Sequence, residues 1–371
     1  MKIVVTCIAG VESLLKKELE KLGFQNIEVL DRILSFVGDE SAVARVNMTS
    51  RVANKVYVEL FGGKIYDFDS LFNCLSDIDW KYLIGNNNPL IIKATSIKSE
   101  LSSTPAIQKV STKAILTKLT GSKDKFYVEN NELPPIEIFL FLKDDNLRVL
   151  LNTSGEALHK RGYRTSSHEA PIKESLAASL VLLSNWNFSN NLYDFFCGSG
   201  TIVIEAAMIA KNIAPGLIGR KYAFENFSWY PKKHLEDARN EAKEKIFSGK
   251  EYNIFASDIS EEYIEDAKIN AKNAGVEDMI KFEVKPLNAY VGAKNLSGTV
   301  VSNPPYGLRM NQKDLIFVYK DIAKIFDNNE NLNGGLITSF MEFDDLVDLR
   351  NWKKRKLYNG SELCYFYKRN K

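Results

Sequence analysis

The amino-acid sequence predicts an α/β fold in which a mostly parallel, seven-stranded sheet follows an N-terminal α+β region. Three observations support this fold class. From Leu192 onwards, apolar runs alternate with helical patterns, the order expected of parallel strands joined by crossover helices. Before that point, residues 1–60 follow a strand–helix–strand–helix–strand order. The final segment, 355–369, predicts an antiparallel hairpin around Asn359-Gly360.

The region 1–60 is predicted to be a ferredoxin-like module. Its apolar run at 2–8 is typical of a buried strand, and the periodic segment 11–22 predicts a helix that ends at Gly23. The remaining predicted elements are a single strand over 27–37, a helix over 41–48 and a strand over 56–61. Alternation of strands and helices at these lengths is typical of a small ferredoxin-like unit.

Residues 61–158 are predicted to form a second module. A helix begins at a Ser103 or Thr104 cap, with Pro105 in its first turn. Two strands joined by the turn Asp-Asp-Asn at 144–146 follow this helix. The segment I-K-A-T-S-I-K-S-E-L-S-S-T-P-A-I-Q-K-V-S-T-K-A-I with the later hairpin resembles a THUMP domain, and that resemblance implies RNA binding.

The net charge and the cysteine and histidine content exclude only a few classes of function. The 371 residues carry a net charge of +2, so any nucleic-acid surface must arise from local clustering of cations. The four cysteines form no C-x-x-C pair and the three histidines lack ligand spacing, so we expect no metal site and no disulfide framework. We find no signal-peptide pattern and no apolar run of about 20 residues, and we therefore expect a cytoplasmic protein without a membrane span.

A glycine-rich turn, D-F-F-C-G-S-G-T, follows a predicted strand and opens a helix. Gly198 and Gly200 allow a sharp turn and a close approach to a ligand, while the helix start offers free amides. The dinucleotide fingerprint would need a third glycine where Val203 stands. Asp194 could attract the ammonium group of S-adenosylmethionine, so the turn matches the first motif of methyltransferases. The candidate contacts in this turn are Asp194, Cys197, Gly198, Ser199, Gly200 and Thr201.

Two further positions complete the predicted cofactor site. Asp258 ends the next parallel strand, where an acid can accept hydrogen bonds from ribose hydroxyls, and Ile259 follows it. Asn288 stands after the third strand, where many class I methyltransferases have an aspartate, and could bind the adenine edge. The long segment 211–252 before Asp258 is interpreted as an insertion.

The sequence S-N-P-P-Y-G-L-R at 302–309 is the most specific motif in the chain. N-P-P-Y after a strand is the signature of methyltransferases that act on an amine conjugated to a base ring. The Asn303 oxygen and the Pro304 carbonyl could accept hydrogen bonds from such an amine, while Pro305 helps to fix the backbone. Tyr306 could stack a flipped base. These four residues are the predicted catalytic set.

Two basic segments are candidates for RNA contact. H-K-R-G-Y-R at 159–164 offers cations beside an aromatic ring, although a solvated linker is an equally good interpretation. Lys353-Lys354-Arg355-Lys356 is typical of an exposed strand start. The predicted RNA contacts are Lys160, Arg161, Tyr163, Arg164 and Arg309.

The assembled pattern resembles the THUMP-containing RNA guanine-N2 methyltransferases, in particular the RlmL-like group in its short form with one methyltransferase domain. The likeness rests on T-C-I-A-G-V-E-S-L-L-K-K-E-L, H-K-R-G-Y-R, A-P-I-K-E-S-L-A-A, the glycine turn and N-P-P-Y-G-L-R. It implies a class I, Rossmann-like methyltransferase domain over 159–371 and methylation of guanine N2, most specifically in 23S rRNA. Leu308 departs from the family, which usually has an acid there.

The motifs leave several alternatives open. The domain pairing also fits a tRNA guanine-N2 methyltransferase, and N-P-P-Y alone also fits an adenine-N6 enzyme acting on DNA or RNA. A protein of another class, a ribosome-assembly or RNA-binding factor without catalysis, would share the N-terminal half. The intact Asn303 and glycine turn speak against that last reading. The oligomeric state stays undetermined, and RNA, rRNA more than tRNA, is the expected partner.

Overall fold

The computed structural model describes residues 1–84, 87–122, 126–165, 172–306 and 311–369. These residues build two seven-stranded sheets, one from the N-terminal part of the chain and one from Leu192 onwards. Buried apolar side chains from both parts form one continuous core. No helix in the described ranges combines the length and apolarity that crossing a membrane requires.

The first sheet combines the two predicted N-terminal modules. Its strands are β1 (Lys2–Cys7), β2 (Glu28–Leu30), β3 (Ile33–Val37), β4 (Ala53–Lys64), β5 (Leu90–Ile97), β6 (Ile136–Lys143) and β7 (Asn146–Asn152). They lie in the order β2-β3-β1-β4-β7-β6-β5, and β5 with β6 is the parallel pair. Because β4 crosses residue 60, the segment 1–60 and the segment 61–158, for which a THUMP-like module was predicted, share this sheet.

Five helices accompany the first sheet. They are α1 (Glu12–Lys21), α2 (Glu40–Thr49), α3 (Phe68–Asp77), α4 (Trp80–Ile84) and α5 (Thr104–Thr120). The predicted cap of α5 is confirmed, since the Ser103 side chain accepts a hydrogen bond from the Ala106 amide. The prediction of one strand over 27–37 is wrong. Arg32 adopts a positive φ of 62°, so the chain turns back there and β2 pairs with β3.

The second sheet has the predicted topology. Its strands are β8 (Leu192–Asp194), β9 (Ile254–Asp258), β10 (Ile280–Val284), β11 (Gly298–Ser302), β12 (Leu332–Thr338), β13 (Trp352–Asn359) and β14 (Glu362–Arg369). The order is β10-β9-β8-β11-β12-β14-β13, with β8 to β12 parallel and the final hairpin antiparallel. The predicted mostly parallel sheet is therefore confirmed.

Crossover helices connect the parallel strands. They are α7 (Thr201–Ala210), α9 (Glu261–Asn273) and α10 (Gln312–Asn328). Helix α6 (Glu174–Ser184) precedes β8 and packs against α7, while α8 (Lys233–Glu244) lies in the predicted insertion. All ten residues of α7 are buried, because α7 packs against α6, α9 and the strands beneath it. The start of α7 is thereby held rigidly beside the end of β8.

The segment 211–252 connects the two halves of the molecule. Its helix α8 packs against α2, and Arg45 of α2 forms two hydrogen bonds with Glu241 of α8, at 3.1 and 3.3 Å. Three aromatic side chains of the segment also donate hydrogen bonds to backbone carbonyls of the first half: Tyr222 to Asn47, Trp229 to Leu83 and Tyr230 to Glu40. The insertion therefore anchors the N-terminal half to the second sheet.

Candidate active site

The glycine turn lies between β8 and α7. Gly198 and Gly200 both adopt positive φ, 50° and 83°, which favours glycine. A Cβ atom added at Gly200 would lie 3.0 Å from the Cβ of Ala267 in α9. The turn can therefore approach α9 closely only because residue 200 has no side chain.

Asp258 joins the end of β9 to this turn. Because β8 and β9 pair in parallel, their carboxyl ends meet at the same edge of the sheet. The Asp258 Oδ2 atom accepts a hydrogen bond from the Gly198 amide at 2.9 Å, and Oδ1 accepts one from the Ser260 amide at 3.1 Å. Asp258 thus fixes the turn and presents carboxylate oxygens beside it.

Asn270 is a further positioning residue, which sequence reasoning missed. Its side chain in α9 is fully buried, and Nδ2 donates a hydrogen bond to the Ser199 carbonyl at 3.0 Å. Its Oδ1 accepts one from the Thr165 amide at 3.2 Å. Asn270 therefore holds the glycine turn against the linker, and an asparagine in a buried helix position was the only sequence signal for this role.

Asp194 is a buried acid at the end of β8, with 1 % of its surface exposed. Its Oδ1 atom accepts a hydrogen bond from the Phe196 amide at 3.1 Å. Its Oδ2 atom is buried and has no hydrogen-bond partner among the described residues. Burial raises the pKa of Asp194 to about 7, against the opposing effect of hydrogen bonds from the Ser302 side chain and the Phe196 amide, and the nearby Asp258 carboxylate adds to the rise. Asp194 is therefore poised to accept a hydrogen bond from a cationic ligand.

Asn303 follows β11 at the same edge of the sheet. The Ser302 hydroxyl accepts a hydrogen bond from the Phe195 amide at 3.0 Å, which ties the two loops together. The Asn303 Oδ1 atom is buried and has no partner within the described ranges. The Pro305 carbonyl accepts a hydrogen bond from the Tyr319 hydroxyl of α10 at 3.1 Å, so α10 helps to fix the diproline backbone.

A single cavity of about 640 Å³ connects the glycine turn with the Asn303 loop. The predicted site residues that line it are Asp194, Cys197, Gly198, Ser199, Thr201, Asp258, Ile259, Asn288, Asn303 and Pro305. Gly200 lies against α9, and Pro304 is buried beside the cavity. Asp194 and Asn303, which each carry a buried oxygen without a partner among the described residues, therefore line one ligand-sized space.

The expectation that Tyr306 offers an accessible ring is wrong for this conformation. Tyr306 is 3 % exposed, and its hydroxyl accepts a hydrogen bond from Asn359 Nδ2 at 2.8 Å. Burial raises the pKa of this hydroxyl. The hairpin of β13 and β14 covers the ring, which therefore supports the loop and cannot stack a base.

Two predicted RNA contacts in the linker are also wrong. Arg161 and Tyr163 are each 1 % exposed, so neither offers a surface to RNA. Arg161 Nε and the Tyr163 hydroxyl both reach Glu205 Oε1 of α7, at 3.3 Å. Lys160 remains accessible, paired with Glu156 at 2.6 Å on the surface.

Arg164, another predicted RNA contact, binds residues of the protein beside the glycine turn. Its Nη2 atom donates a hydrogen bond to the Thr201 hydroxyl at 2.8 Å and lies 3.4 Å from a carboxylate oxygen of Glu174. Arg164 therefore supports the first residue of α7. Arg309, the last predicted RNA contact, lies outside the described residues.

Comparison with known proteins agrees with this geometry. The family model described as "RMKL-like, methyltransferase domain" matches residues 161–368, and the "RlmL ferredoxin-like domain" model matches residues 2–57. A curated relative from Bacillus subtilis (strain 168), "Putative RNA methyltransferase YpsC", is 38% identical over 363 residues, which covers 96% of this chain and 93% of that protein.

Solved structures match over almost the whole chain. A "possible methylase from Clostridium difficile 630" is 36% identical with a TM-score of 0.91, covering 99% of this chain and 97% of that one. SMU.472, "a putative methyltransferase complexed with SAH", is 33% identical with a TM-score of 0.88, covering 100% and 98%. The chain therefore belongs to the RMKL-like methyltransferase family, with an RlmL-type ferredoxin-like domain at its N-terminus.

Proposed function

We propose that this protein is an S-adenosylmethionine-dependent RNA methyltransferase that acts on an exocyclic base amine, most specifically guanine N2 of 23S rRNA. The observation that carries the proposal is the buried Asn303 oxygen, which has no hydrogen-bond partner in the described part of the chain, as is true of the Asp194 Oδ2 atom at the same cavity. The family is one of methyltransferases, and the Bacillus subtilis relative is named as an RNA methyltransferase. The N-P-P-Y motif supports an amine acceptor, and the resemblance to RNA guanine-N2 enzymes supports the narrower specificity.

The residues present fit S-adenosylmethionine. A buried carboxylate oxygen without a partner is costly unless a ligand supplies a donor, and Asp194 would receive the ammonium group. Asp258 would accept hydrogen bonds from the ribose, while Ile259 and Asn288 would contact the adenine ring. S-adenosylmethionine supplies an electrophilic methyl group on its sulfonium, and the related SMU.472 structure contains SAH.

Asn303 would orient the target amine. The lone pair of such an amine is delocalised into the base ring, which makes the nitrogen a poor nucleophile. Hydrogen bonds from its protons to the Asn303 oxygen and the Pro304 carbonyl would direct the lone pair towards the methyl group. Since both acceptors sit on a backbone fixed by two prolines, the geometry is preorganised, and positioning alone can supply up to about 7–11 kcal/mol.

The proposal is tested by nucleoside mass spectrometry combined with transfer assays. Purified protein and radiolabelled S-adenosylmethionine would be incubated with deproteinised 23S rRNA, tRNA and duplex DNA from a strain that lacks the gene. We expect label in 23S rRNA, recovered as N2-methylguanosine. Label in tRNA alone would show that tRNA is the substrate, and label recovered as N6-methyladenosine would show that the target is adenine N6 instead of guanine N2. No label in any RNA would refute the proposal.

Cofactor affinity should depend on the ionisation of Asp194. With its pKa raised to about 7, the carboxyl is mostly neutral at pH 6 and mostly charged at pH 8. Affinity for S-adenosylhomocysteine, which carries the same ammonium group, should therefore increase about tenfold from pH 6 to pH 8. Calorimetric titration measures this directly. The Asp194→Asn variant should bind more weakly with a flat profile, and an equally steep profile in that variant would exclude Asp194 as the titrating group.

A further inference from the structure

A second and larger cavity lies between the two halves of the molecule, away from the methyl-transfer site. This interdomain cleft has a volume of about 1050 Å³ and is lined by α1, by the end of α7 and by β13 and β14. Thr201 opens α7 in the active site, whereas Ile209 at the other end of α7 lines the cleft. At 1.5 Å per residue, the length of α7 separates the two cavities by roughly 12 Å along the helix.

The lining of the interdomain cleft is strongly basic. Eight of its residues are lysine or arginine: Lys17, Lys21, Arg51, Lys245, Lys353, Lys354, Arg355 and Lys368. The single carboxylate is Glu18, whose oxygens accept hydrogen bonds from the Ser50 hydroxyl at 2.6 Å and the Arg51 amide at 3.1 Å. Burial raises the pKa of Glu18, while the hydrogen bond from Ser50 and the charge of Arg51 act in the opposite direction. Lys354 pairs with Asp344 at 2.8 Å and Lys245 pairs with Glu241 at 2.5 Å, so the excess positive charge of the cleft comes from the other six cations.

Lys353 and Lys368 are placed directly opposite each other on β13 and β14. Like charges in this position destabilise a sheet. Neither lysine forms an ion pair with any described residue, and burial together with the charge of Lys353 lowers the pKa of Lys368. The fold thus tolerates an uncompensated repulsion, which a bound anion would relieve.

Arg51 provides a second, independent observation in the same cleft. Its side chain is 9 % exposed, and its buried Nη1 atom has no hydrogen-bond partner within the described part of the chain. A buried guanidinium nitrogen without an acceptor is costly, because it has lost water and gained no replacement. An anionic oxygen that entered the cleft would supply that acceptor.

We propose that the interdomain cleft binds the phosphodiester backbone of the RNA substrate. This inference rests on the proposed RNA methyltransferase function and adds a substrate contact outside the methyl-transfer cavity. Phosphate oxygens are the ligands that clustered lysine and arginine bind in RNA, and Phe188 and Phe247 in the lining offer apolar surface to bases. Since the cleft and Asn303 lie at opposite ends of α7, an RNA that occupies both sites must extend from one end of this helix to the other.

Charge reversal tests the cleft. The variant Lys353→Glu/Lys368→Glu should bind deproteinised 23S rRNA at least about tenfold more weakly than the wild type at low salt. The slope of log K against log[salt] should become shallower by about 1.4, the value for two lost phosphate contacts on a single strand. The matched control is Lys232→Glu/Lys233→Glu, which makes the same charge change on exposed residues outside the cleft, and it should change affinity less than threefold.

Further measurements separate the possible outcomes. We expect the KM for RNA to rise with kcat and S-adenosylhomocysteine affinity unchanged. If the lysine pair variant does not bind S-adenosylhomocysteine, Lys17→Glu/Lys21→Glu on α1 takes its place with the same expectation. If the cleft variant bound RNA as tightly as the wild type, or if the control variant lost as much affinity, the proposed RNA contact in the cleft would be refuted. The proposed methylation of RNA would be unaffected by that result. A wild-type protein that neither binds nor methylates RNA would overturn the proposed function itself.

Discussion

Asn303→Ala is expected to lower the rate of methyl transfer by about a thousandfold or more, with little change in cofactor affinity. The substitution removes a buried side-chain oxygen that has no hydrogen-bond partner among the described residues and belongs to a residue that lines the shared cavity. Removing one preorganised polar contact to a reacting group commonly costs about 10²–10³ in rate, and loss of alignment adds to this. Single-turnover transfer to RNA measures the rate, and calorimetry with S-adenosylhomocysteine measures the affinity.

Two further variants make this result specific. Asn303→Asp keeps an acceptor oxygen in place, and it should retain more activity than the alanine variant. Asn253→Ala removes an exposed asparagine just before β9, at the opposite edge of the sheet, and should have wild-type activity. Undiminished transfer by Asn303→Ala would show that the amine is oriented by another group.

Glu205→Ala is expected to destabilise the protein severely. Glu205 is fully buried and pairs with the buried Arg161, whose Nη1 atom donates a hydrogen bond to the Leu158 carbonyl at 2.6 Å and whose Nη2 atom binds the Arg51 carbonyl. Removing the carboxylate leaves the guanidinium charge uncompensated inside the core, which typically costs about 3–5 kcal/mol. For a domain of this size that corresponds to a fall of roughly 10 °C in Tm, which differential scanning calorimetry can measure.

The surface pair Lys160–Glu156 provides the control for this prediction. It also joins a cation of the linker to a glutamate, but both side chains are largely exposed. Water and salt screen such a pair, so Glu156→Ala should change the free energy of unfolding by less than about 1 kcal/mol. If Glu205→Ala and Glu156→Ala had equal melting temperatures, the buried pair would have no special role in stability.

The second sheet and its two loops could be predicted because their signals are local. The alternation of apolar strands and helices fixes a parallel sheet, and in such a sheet the ends of β8, β9 and β11 must meet. The glycine turn, Asp258 and Asn303 therefore converge as their positions in the sequence imply. Local sequence and parallel topology together were sufficient for this part of the site.

The errors arose where the deciding partner is distant in sequence. No sequence feature near Arg161 or Tyr163 distinguishes an exposed basic linker from a buried one. Their partner Glu205 lies on α7, the second helix after the linker. Tyr306 is covered by a hairpin that contributes Asn359, 53 residues later. The turn at Arg32 was missed because positive φ at an arginine has no sequence signature. Tertiary contacts decided each case.

The bracing of the two halves by segment 211–252 has a mechanical consequence. Domains joined by a small polar interface usually reorient freely, but here α8 packs on α2 and the Arg161 cluster ties the linker to α7. The first sheet cannot swing towards a substrate without breaking these buried bonds. We therefore expect the two halves to keep a fixed orientation, so that an RNA bound to both the interdomain cleft and the proposed methyl-transfer site would have to bend.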